Sequence, residues 1–134
     1  MKETIIPVVA AVIRNHDHEV LITKRPPNGH LAGLWEFPGG KIEAGETPEQ
    51  ALQRELLEEL GVRTETKKLM WQETFTYPEK TVHIRFFECI LLEDAENIKP
   101  IQVADFKWVP VEALSQFEFP PADAAFIELL TNGG

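Results

Sequence analysis

Residues 40–62 read GKIEAGETPEQALQRELLEELGV. We predict a helix over 48–60, because Thr47 and Gln50 have the spacing of a capping box. Gly61 suits the left-handed residue that ends many helices. Leucines recur every fourth position and predict one buried face of this helix: Leu52, Leu56 and Leu60.

Three carboxylates share another face of the same helix: Glu55, Glu58 and Glu59. Because residues three and four apart lie side by side on a helix, these charges repel each other by roughly 0.2–0.5 kcal/mol per exposed pair. Hard divalent cations require oxygen ligands and usually bridge to substrate phosphates. From the residues alone, the cluster is either a solvated helix face or a divalent-cation site. Gly40, before the helix, marks either a tight turn or a close backbone approach to a ligand.

Residues 40–62 match the Nudix box, G-x5-E-x7-R-E-U-x-E-E-x-G-U with U a bulky aliphatic residue, at every fixed position. The segments VVAAVIRN, WEFPGGKIE and FPPAD outside the box also resemble the MutT branch of this family. The resemblance therefore covers almost the whole chain. The matching positions are Gly40, Glu46, Arg54, Glu55, Leu56, Glu58, Glu59, Gly61 and Val62.

The resemblance implies an α+β protein, an α/β/α sandwich with a mixed β-sheet between helices, in one Nudix hydrolase domain over residues 1–134. It implies hydrolysis of a nucleoside triphosphate to the monophosphate and pyrophosphate. Mg²⁺, or alternatively Mn²⁺, would neutralise charge on the phosphate oxygens. The first expected substrate is 8-oxo-dGTP, in nucleotide-pool sanitation that supports DNA replication and repair. The alternatives are CTP or a modified dCTP, a dinucleotide such as ADP-ribose, and a Nudix module that binds nucleotides without hydrolysing them.

The resemblance also implies roles for the residues of the box. Glu55 or Glu58 would take the proton from the attacking water, and the residues do not decide between them. Glu46 and Arg54 would form the ion pair that orients the helix, and their side chains are predicted to touch. The implied metal ligands are Glu55, Glu58, Glu59 and the carbonyl group of Gly40.

The chain departs from the MutT pattern six residues before Trp108, where these proteins usually carry a glutamate and this chain has Gln102. An amide oxygen can hold a water molecule or a metal ion, but an amide is not a good base. Asp105 is a candidate substitute, with a solvent-facing strand residue as the alternative interpretation.

By the same resemblance, Arg25 contacts the substrate phosphates, while Lys24 is expected to point to the other face of the strand because neighbouring strand residues alternate. For both residues, a solvated surface position is the alternative interpretation. Phe37 either underlies the nucleobase or is an ordinary core residue. His30 is a weaker candidate in the loop before it.

Asp123 follows Phe-Pro-Pro-Ala, where the family reads the base edge, and its alternative role is a helix N-cap. An ionised carboxylate only accepts hydrogen bonds, so it suits the N1–H and N2–H₂ edge of guanine better than cytosine. A MutT-like relative that prefers CTP also ends in a Pro-Ala-Asp segment, so the choice of nucleotide stays open.

The rest of the chain predicts a mixed α/β layout. The strand predicted over 19–24 is interpreted as the hairpin partner of the strand predicted over 5–13, across the turn at 15–18. A loop is expected over 94–103. Strands are predicted over 5–13, 19–24, 68–76, 81–92 and 104–110, and further helices over 111–116 and 122–131.

Composition restricts the remaining classes of function. The chain has 134 residues with a net charge of −9, from 13 basic and 22 acidic side chains, which disfavours direct binding to nucleic acid. The single cysteine, Cys89, excludes an internal disulfide framework. No apolar run approaches the roughly 18 residues of a membrane span, and the start does not resemble a signal peptide. We therefore expect a soluble, cytoplasmic monomer or dimer with no membrane partner.

Overall fold

The structure, a computed structural model, describes residues 4–133. Within this range the chain forms seven strands and two α-helices, and neither helix is long and apolar enough to cross a membrane. The helices are α1 (Pro48–Leu60) and α2 (Ala124–Thr131). The strands are β1 (Ile5–Ile13), β2 (Glu19–Lys24), β3 (Trp35–Glu36), β4 (Gly39–Lys41), β5 (Thr64–Thr76), β6 (Thr81–Leu91) and β7 (Asp105–Pro110).

Strand β1 lies inside a four-stranded mixed sheet with the order β4-β1-β6-β5. It pairs in parallel with β6 and antiparallel with β4, so both of its hydrogen-bonding edges are used. The predicted hairpin of β1 and β2 is therefore wrong: in the described part of the chain an isolated bridge, Arg14 to Val20, joins the two. Strand β2 instead forms a second, antiparallel sheet with the order β3-β2-β7.

Both faces of β1 are buried because its side chains alternate between two cores. Val9, Ala11 and Ile13 belong to the core that includes the leucines of α1. Ala10 and Val12 belong to the core that includes Phe126 and Leu130 of α2. Helices thus cover both sides of the sheet, and the predicted layered α+β fold is confirmed.

Helix α1 has the predicted ends. The Gln50 backbone N–H donates to Thr47 Oγ1 at 3.1 Å, and the Thr47 backbone N–H donates to Gln50 Oε1 at 2.9 Å. Gly61 ends the helix with a φ of 69°, in the left-handed region. The three leucines of the predicted buried face are fully buried.

Some predicted boundaries move. The helix expected over 111–116 is a 3₁₀ helix, and α2 begins at Ala124 because Pro121–Asp123 forms a separate 3₁₀ turn. Proline at the start of that turn has no N–H and a fixed φ, which favours such a tight beginning. Strand β5 begins at Thr64 because its polar first residues pair with the end of β6. The loop expected over 94–103 contains a 3₁₀ turn, Ala95–Asn97.

The short strand β4 lies between strand β1 and helix α1 and thereby determines where the glutamates of α1 meet the sheet. A side chain at Gly39 would collide with the Val9 carbonyl oxygen of β1, so glycine is needed for this close pairing. Helix α1 packs along β4 on its other side. The fold therefore holds the backbone of residues 39–41 between the sheet and the glutamate-bearing helix.

Candidate active site

Two cavities meet along β4. The first, here called the apolar pocket, has a volume of about 240 Å³ and is lined by Phe37, Tyr77 and Asp123 among others. The second, the acidic cleft, has a volume of about 440 Å³ and is lined by Glu55 and Glu59 among others. Both cavities are bordered by five residues that we call the shared wall: Arg25, Glu36, Gly39, Gly40 and Lys41.

The structure separates the three glutamates of α1. Glu55 and Glu59 line the acidic cleft. Glu58 lies outside its lining, with a side chain that is 44 % exposed and contacts Arg54 at 3.1 Å. Glu59 is buried because the chain after β6 folds over the end of α1, where the backbone N–H groups of Ile101 and Gln102 donate to the Glu59 carbonyl oxygen. The predicted polar face of the helix is therefore only partly solvated.

Glu59 carries an unsatisfied oxygen. Its Oε1 atom is buried without a hydrogen-bond partner among the described residues. Burial, with the neighbouring Glu55 and Glu36 carboxylates, raises the pKa of Glu59 to about 10. A buried carboxylate of this kind is costly unless a proton or a cation neutralises it. Glu59 thus has the character of a cation ligand.

Gly40 lies against these carboxylates. A side chain at this position would collide with the Glu55 carboxylate, so glycine is needed for the close approach of β4 to α1. Two carboxylates beside a backbone segment are the hard oxygen donors that Mg²⁺ and Mn²⁺ prefer, and the residues present fit such an ion. Within residues 4–133, however, no three acidic, histidine or cysteine side chains converge as a finished ligand set.

Arg54 connects the loop before α1 with the helix. The predicted contact with Glu46 is confirmed: Arg54 Nε donates to Glu46 Oε2 at 2.7 Å, and Nη2 donates to Glu46 Oε1 at 3.0 Å. This fork lowers the pKa of Glu46. Because the guanidinium bridges several acidic groups, it holds the glutamates of this region together against their mutual repulsion. Its other partners are Glu43, Glu55, Glu58 and the Lys41 carbonyl oxygen.

Gln102, which replaces the usual loop glutamate, and Asp105, its candidate substitute, lie in different surroundings. Gln102 lines the acidic cleft. Asp105 lies outside the lining of both cavities, at the exposed start of β7, where its Oδ1 accepts the Phe106 backbone N–H at 2.8 Å. The solvent-facing interpretation of Asp105 is therefore the one that fits.

Arg25 lies in the shared wall between the two cavities. Its guanidinium contacts the Glu36 carboxylate and the His30 carbonyl oxygen, each at 3.1 Å. The neighbouring Lys24 points elsewhere, with its Nζ atom 5.9 Å from the centroid of the Trp35 ring. The predicted alternation of Lys24 and Arg25 is confirmed.

Phe37 is both a core residue and part of the lining of the apolar pocket, so its position fits both of its expected roles. It is 2 % exposed and its ring packs against Phe86, Phe119 and Phe126 in the core. It also lines the apolar pocket. The core holds this ring rigidly, so it forms a fixed wall for a flat ligand.

Asp123 is not a helix cap, which corrects one of its two predicted roles. It precedes α2, but its side chain makes no capping hydrogen bond because its backbone is already helical, with φ −91° and ψ −8°. The side chain lines the apolar pocket and is 4 % exposed. Burial, with Glu36 nearby, raises the pKa of Asp123 to about 8. The expectation of an ionised, accept-only carboxylate is therefore also wrong near neutral pH.

The residues that line the two cavities but were missed from the sequence include Glu36, Lys41 and Tyr77. Glu36 precedes Phe37 and Lys41 follows Gly40 in the sequence. This adjacency to two predicted site residues could have identified both. Tyr77 lies between the strands predicted over 68–76 and 81–92. It is buried, its ring packs in a T-shaped arrangement with the His30 ring at 5.1 Å between centroids, and its hydroxyl oxygen accepts the Ala122 backbone N–H at 3.3 Å. The hydrogen bond to Ala122 joins the β5–β6 turn to the segment that carries Asp123. Because the two segments are far apart in the sequence, no local pattern predicts this contact.

The chain is similar to known proteins over nearly its whole length. The NUDIX domain profile matches residues 9–129. A Haemophilus influenzae protein named 8-oxo-dGTP diphosphatase is 40% identical over 132 residues, which cover 98% of this chain and 96% of that protein. An Escherichia coli protein named CTP pyrophosphohydrolase is 32% identical over 92% of this chain and 89% of its own length. The crystal structure of a MutT protein from Methanosarcina mazei superposes with a TM-score of 0.86 at 28% identity, covering 99% of this chain and 97% of that one.

Arg54→Ala is expected to lower the free energy of unfolding, because it removes the bidentate charged hydrogen bond that joins the loop to the helix and leaves the Glu43 backbone N–H as the remaining donor to Glu46. Arg54→Lys should recover only part of this loss, because lysine keeps the charge without the fork. Urea denaturation measures both. Arg63→Ala is the matched control, since the Arg63 side chain is 71% exposed. If Arg54→Ala changed stability no more than this control, Arg54 would not hold the loop to the helix.

The pKa of Asp123 predicts a pH dependence of stability. Because its pKa is raised from 3.8 in the unfolded chain to about 8, the folded protein binds this proton more tightly. The resulting stabilisation is complete below about pH 4 and is lost as the pH rises through 8, by an amount of the order of a few kcal/mol. Asp123→Asn should therefore flatten the fall of the unfolding free energy between pH 4 and 8. Equal slopes for the two proteins would show that Asp123 ionises normally.

Proposed function

This chain belongs to the Nudix hydrolase family, and we propose that it hydrolyses a nucleoside triphosphate to the monophosphate and pyrophosphate, with 8-oxo-dGTP as the preferred substrate. One observation carries the proposal: an apolar pocket and an acidic cleft share a wall that contains Arg25 and Gly40. A base suits the pocket, and a phosphate chain with its cation suits the cleft. The relatives named for 8-oxo-dGTP and CTP support this class of substrate.

We propose Glu55, Glu58, Glu59 and the Gly40 carbonyl group as the metal ligands. The divalent metal ions that Nudix hydrolases use neutralise, when bound, the charge on the phosphate oxygens. The unsatisfied Glu59 oxygen and the contact of Gly40 with Glu55 support this assignment. Mg²⁺ is the proposed ion, with Mn²⁺ as the alternative.

In the proposed reaction, the oxygen of water bonds to phosphorus while the anhydride bond between the α- and β-phosphates breaks. The proton of water passes to a carboxylate, and we assign Glu55 because it lines the acidic cleft, whereas Glu58 lies outside the cleft lining and is 44 % exposed. Arg54 orients Glu55 through a hydrogen bond of 2.7 Å. Gln102 holds water or phosphate in the cleft but does not accept the proton.

The protonation of Asp123 decides how it reads the base. With a pKa of about 8, its carboxyl group is mostly neutral at pH 7 and both donates and accepts a hydrogen bond. 8-Oxoguanine offers an N7–H donor beside the O6 acceptor, whereas guanine offers two acceptors at this edge. Cytosine also offers a donor beside an acceptor, at N4 and N3. This match specifically favours CTP or a modified dCTP as the second candidate substrate.

The proposed function is tested by a nucleotide panel with Mg²⁺ that contains 8-oxo-dGTP, dGTP, CTP, dCTP and ADP-ribose. Pyrophosphate and the monophosphate should form in equal amounts, and kcat/KM should be highest for 8-oxo-dGTP. A preference for CTP would select the second candidate. A nucleoside diphosphate with orthophosphate as the products would contradict the proposal. The absence of hydrolysis with either Mg²⁺ or Mn²⁺ would indicate a binding module.

Glu58→Gln is the companion variant of this panel. It removes a charge without changing the packing, and kcat at saturating Mg²⁺ should fall by at least about 100-fold while the melting temperature stays unchanged. Glu112→Gln, at an exposed position outside both cavities, is the charge-matched control. Near-normal turnover of Glu58→Gln would remove Glu58 from the proposed ligands.

The base-reading role predicts a pH effect on selectivity. The ratio of kcat/KM for 8-oxo-dGTP over dGTP should fall in the wild type as the pH rises from 7 to 9, because Asp123 loses its donor. Asp123→Asn should keep the ratio at pH 7 and hold it as the pH rises, since asparagine always carries a donor and an acceptor. This variant also controls for titration of the base itself. If Asp123→Asn left the wild-type pH profile unchanged, the base would be read by another group.

A further inference from the structure

Glu36 is an acidic residue in the shared wall to which the proposed chemistry assigns no role. It lies on β3, opposite Thr23 of β2, and its side chain is 22% exposed. The carboxylates of Glu55, Glu59 and Asp123 are all within electrostatic reach of it. Another carboxylate in such surroundings is unfavourable, and burial raises the pKa of Glu36 accordingly. A residue with only a packing function would not need a charge at this position.

The contacts of Glu36 are directed at one side chain, Arg25. Arg25 Nε donates to Glu36 Oε1 at 3.1 Å, and Nη2 lies 3.1 Å from the same oxygen. Arg25 Nη1 donates to the His30 carbonyl oxygen at 3.1 Å. These three contacts fix the plane and the rotation of the guanidinium.

The remaining donors of Arg25 are available for a ligand. A guanidinium has five N–H groups, and Arg25 donates two of them, from Nε to Glu36 and from Nη1 to His30. Because Nη2 makes only an ion-pair contact with Glu36, at least one N–H group remains on each terminal nitrogen. Two N–H groups on neighbouring nitrogens match two oxygens of a phosphate. Arg25 borders both cavities, so such a phosphate would lie where the nucleoside part of a ligand meets its phosphate chain.

We propose that Glu36 is a positioning residue, which holds Arg25 so that free N–H groups on its two terminal nitrogens bind the phosphate nearest to the nucleoside. This inference rests on the proposed function, because the phosphate belongs to the proposed nucleotide substrate. Glu36 does not touch the ligand in this arrangement and acts only through Arg25.

Binding without turnover tests the proposal. Calorimetry with Mg²⁺ measures the dissociation constants of 8-oxo-dGMP and of its nucleoside, 8-oxo-deoxyguanosine. The nucleoside value divided by the monophosphate value, here called the phosphate ratio, reports how much the phosphate contributes to binding. Glu36→Gln should reduce this ratio by about tenfold and leave the nucleoside affinity unchanged, because the loss of an oriented charged hydrogen bond has roughly this effect. Arg25→Ala should reduce the ratio at least as much. The double variant should be no worse than Arg25→Ala alone.

Glu93→Gln is the matched control, because Glu93 pairs with Arg63 at 3.6 Å and lies outside both cavities. It removes the same charge and should leave the ratio unchanged. An equal loss of nucleoside and monophosphate affinity in Glu36→Gln would show a structural role and overturn the proposal. Additive losses in the double variant would overturn it as well, because Glu36 would then act independently of Arg25.

A second variant covers the case in which Glu36→Gln does not fold. If Glu36→Gln did not fold, Arg25→Lys would replace it, since lysine keeps the charge but loses the fork. The phosphate ratio should again fall about tenfold, and an unchanged ratio would overturn the proposal. The phosphate ratio does not depend on hydrolysis, so a failure of the proposed function appears in the nucleotide panel and a failure of Glu36 appears here.

Discussion

The site depends on one steric constraint, the close passage of β4 between β1 and α1. Gly39 has no room for a side chain because of the Val9 carbonyl oxygen, and Gly40 has none because of the Glu55 carboxylate. With these two glycines, a strand of the sheet can lie directly against a helix that carries acidic side chains. The same backbone then forms the boundary between the apolar pocket and the acidic cleft. A bulkier residue at either position would separate the two halves of the site.

Around this boundary the protein maintains carboxylates that are unfavourable for folding. Glu59 and Asp123 are buried, and their pKa values are raised to about 10 and about 8. Two arginines limit the cost from opposite sides: Arg54 bridges the glutamates of the loop and the helix, and Arg25 pairs with Glu36. These charges are unfavourable in a stable core. A bound cation would neutralise the carboxylates and a polyanionic ligand would pair with the arginines, and such an arrangement is typical of functional sites.

The sequence predicted the parts of this structure that depend on local chemistry. The ends of α1 follow from a capping box and a glycine, and the contact between Glu46 and Arg54 follows from the box pattern. The sequence did not predict that β2 lies in a second sheet, because that depends on the long-range pairing of β4 and β6 with the two edges of β1. It also did not predict the neutral Asp123 or the position of Glu36. Both depend on how residues far apart in the chain exclude water together, and no local spacing encodes that.

We propose that one ligand lies across the shared wall, with its base in the apolar pocket and its phosphates in the acidic cleft. A crystal structure of the Glu58→Gln variant with 8-oxo-dGTP and Mg²⁺ would show where each part binds. We expect density for the base between Phe37 and Asp123, a phosphate at Arg25 and the remaining phosphates beside Glu55 and Glu59. A base bound in the acidic cleft or outside both cavities, with no phosphate at Arg25, would contradict this proposal.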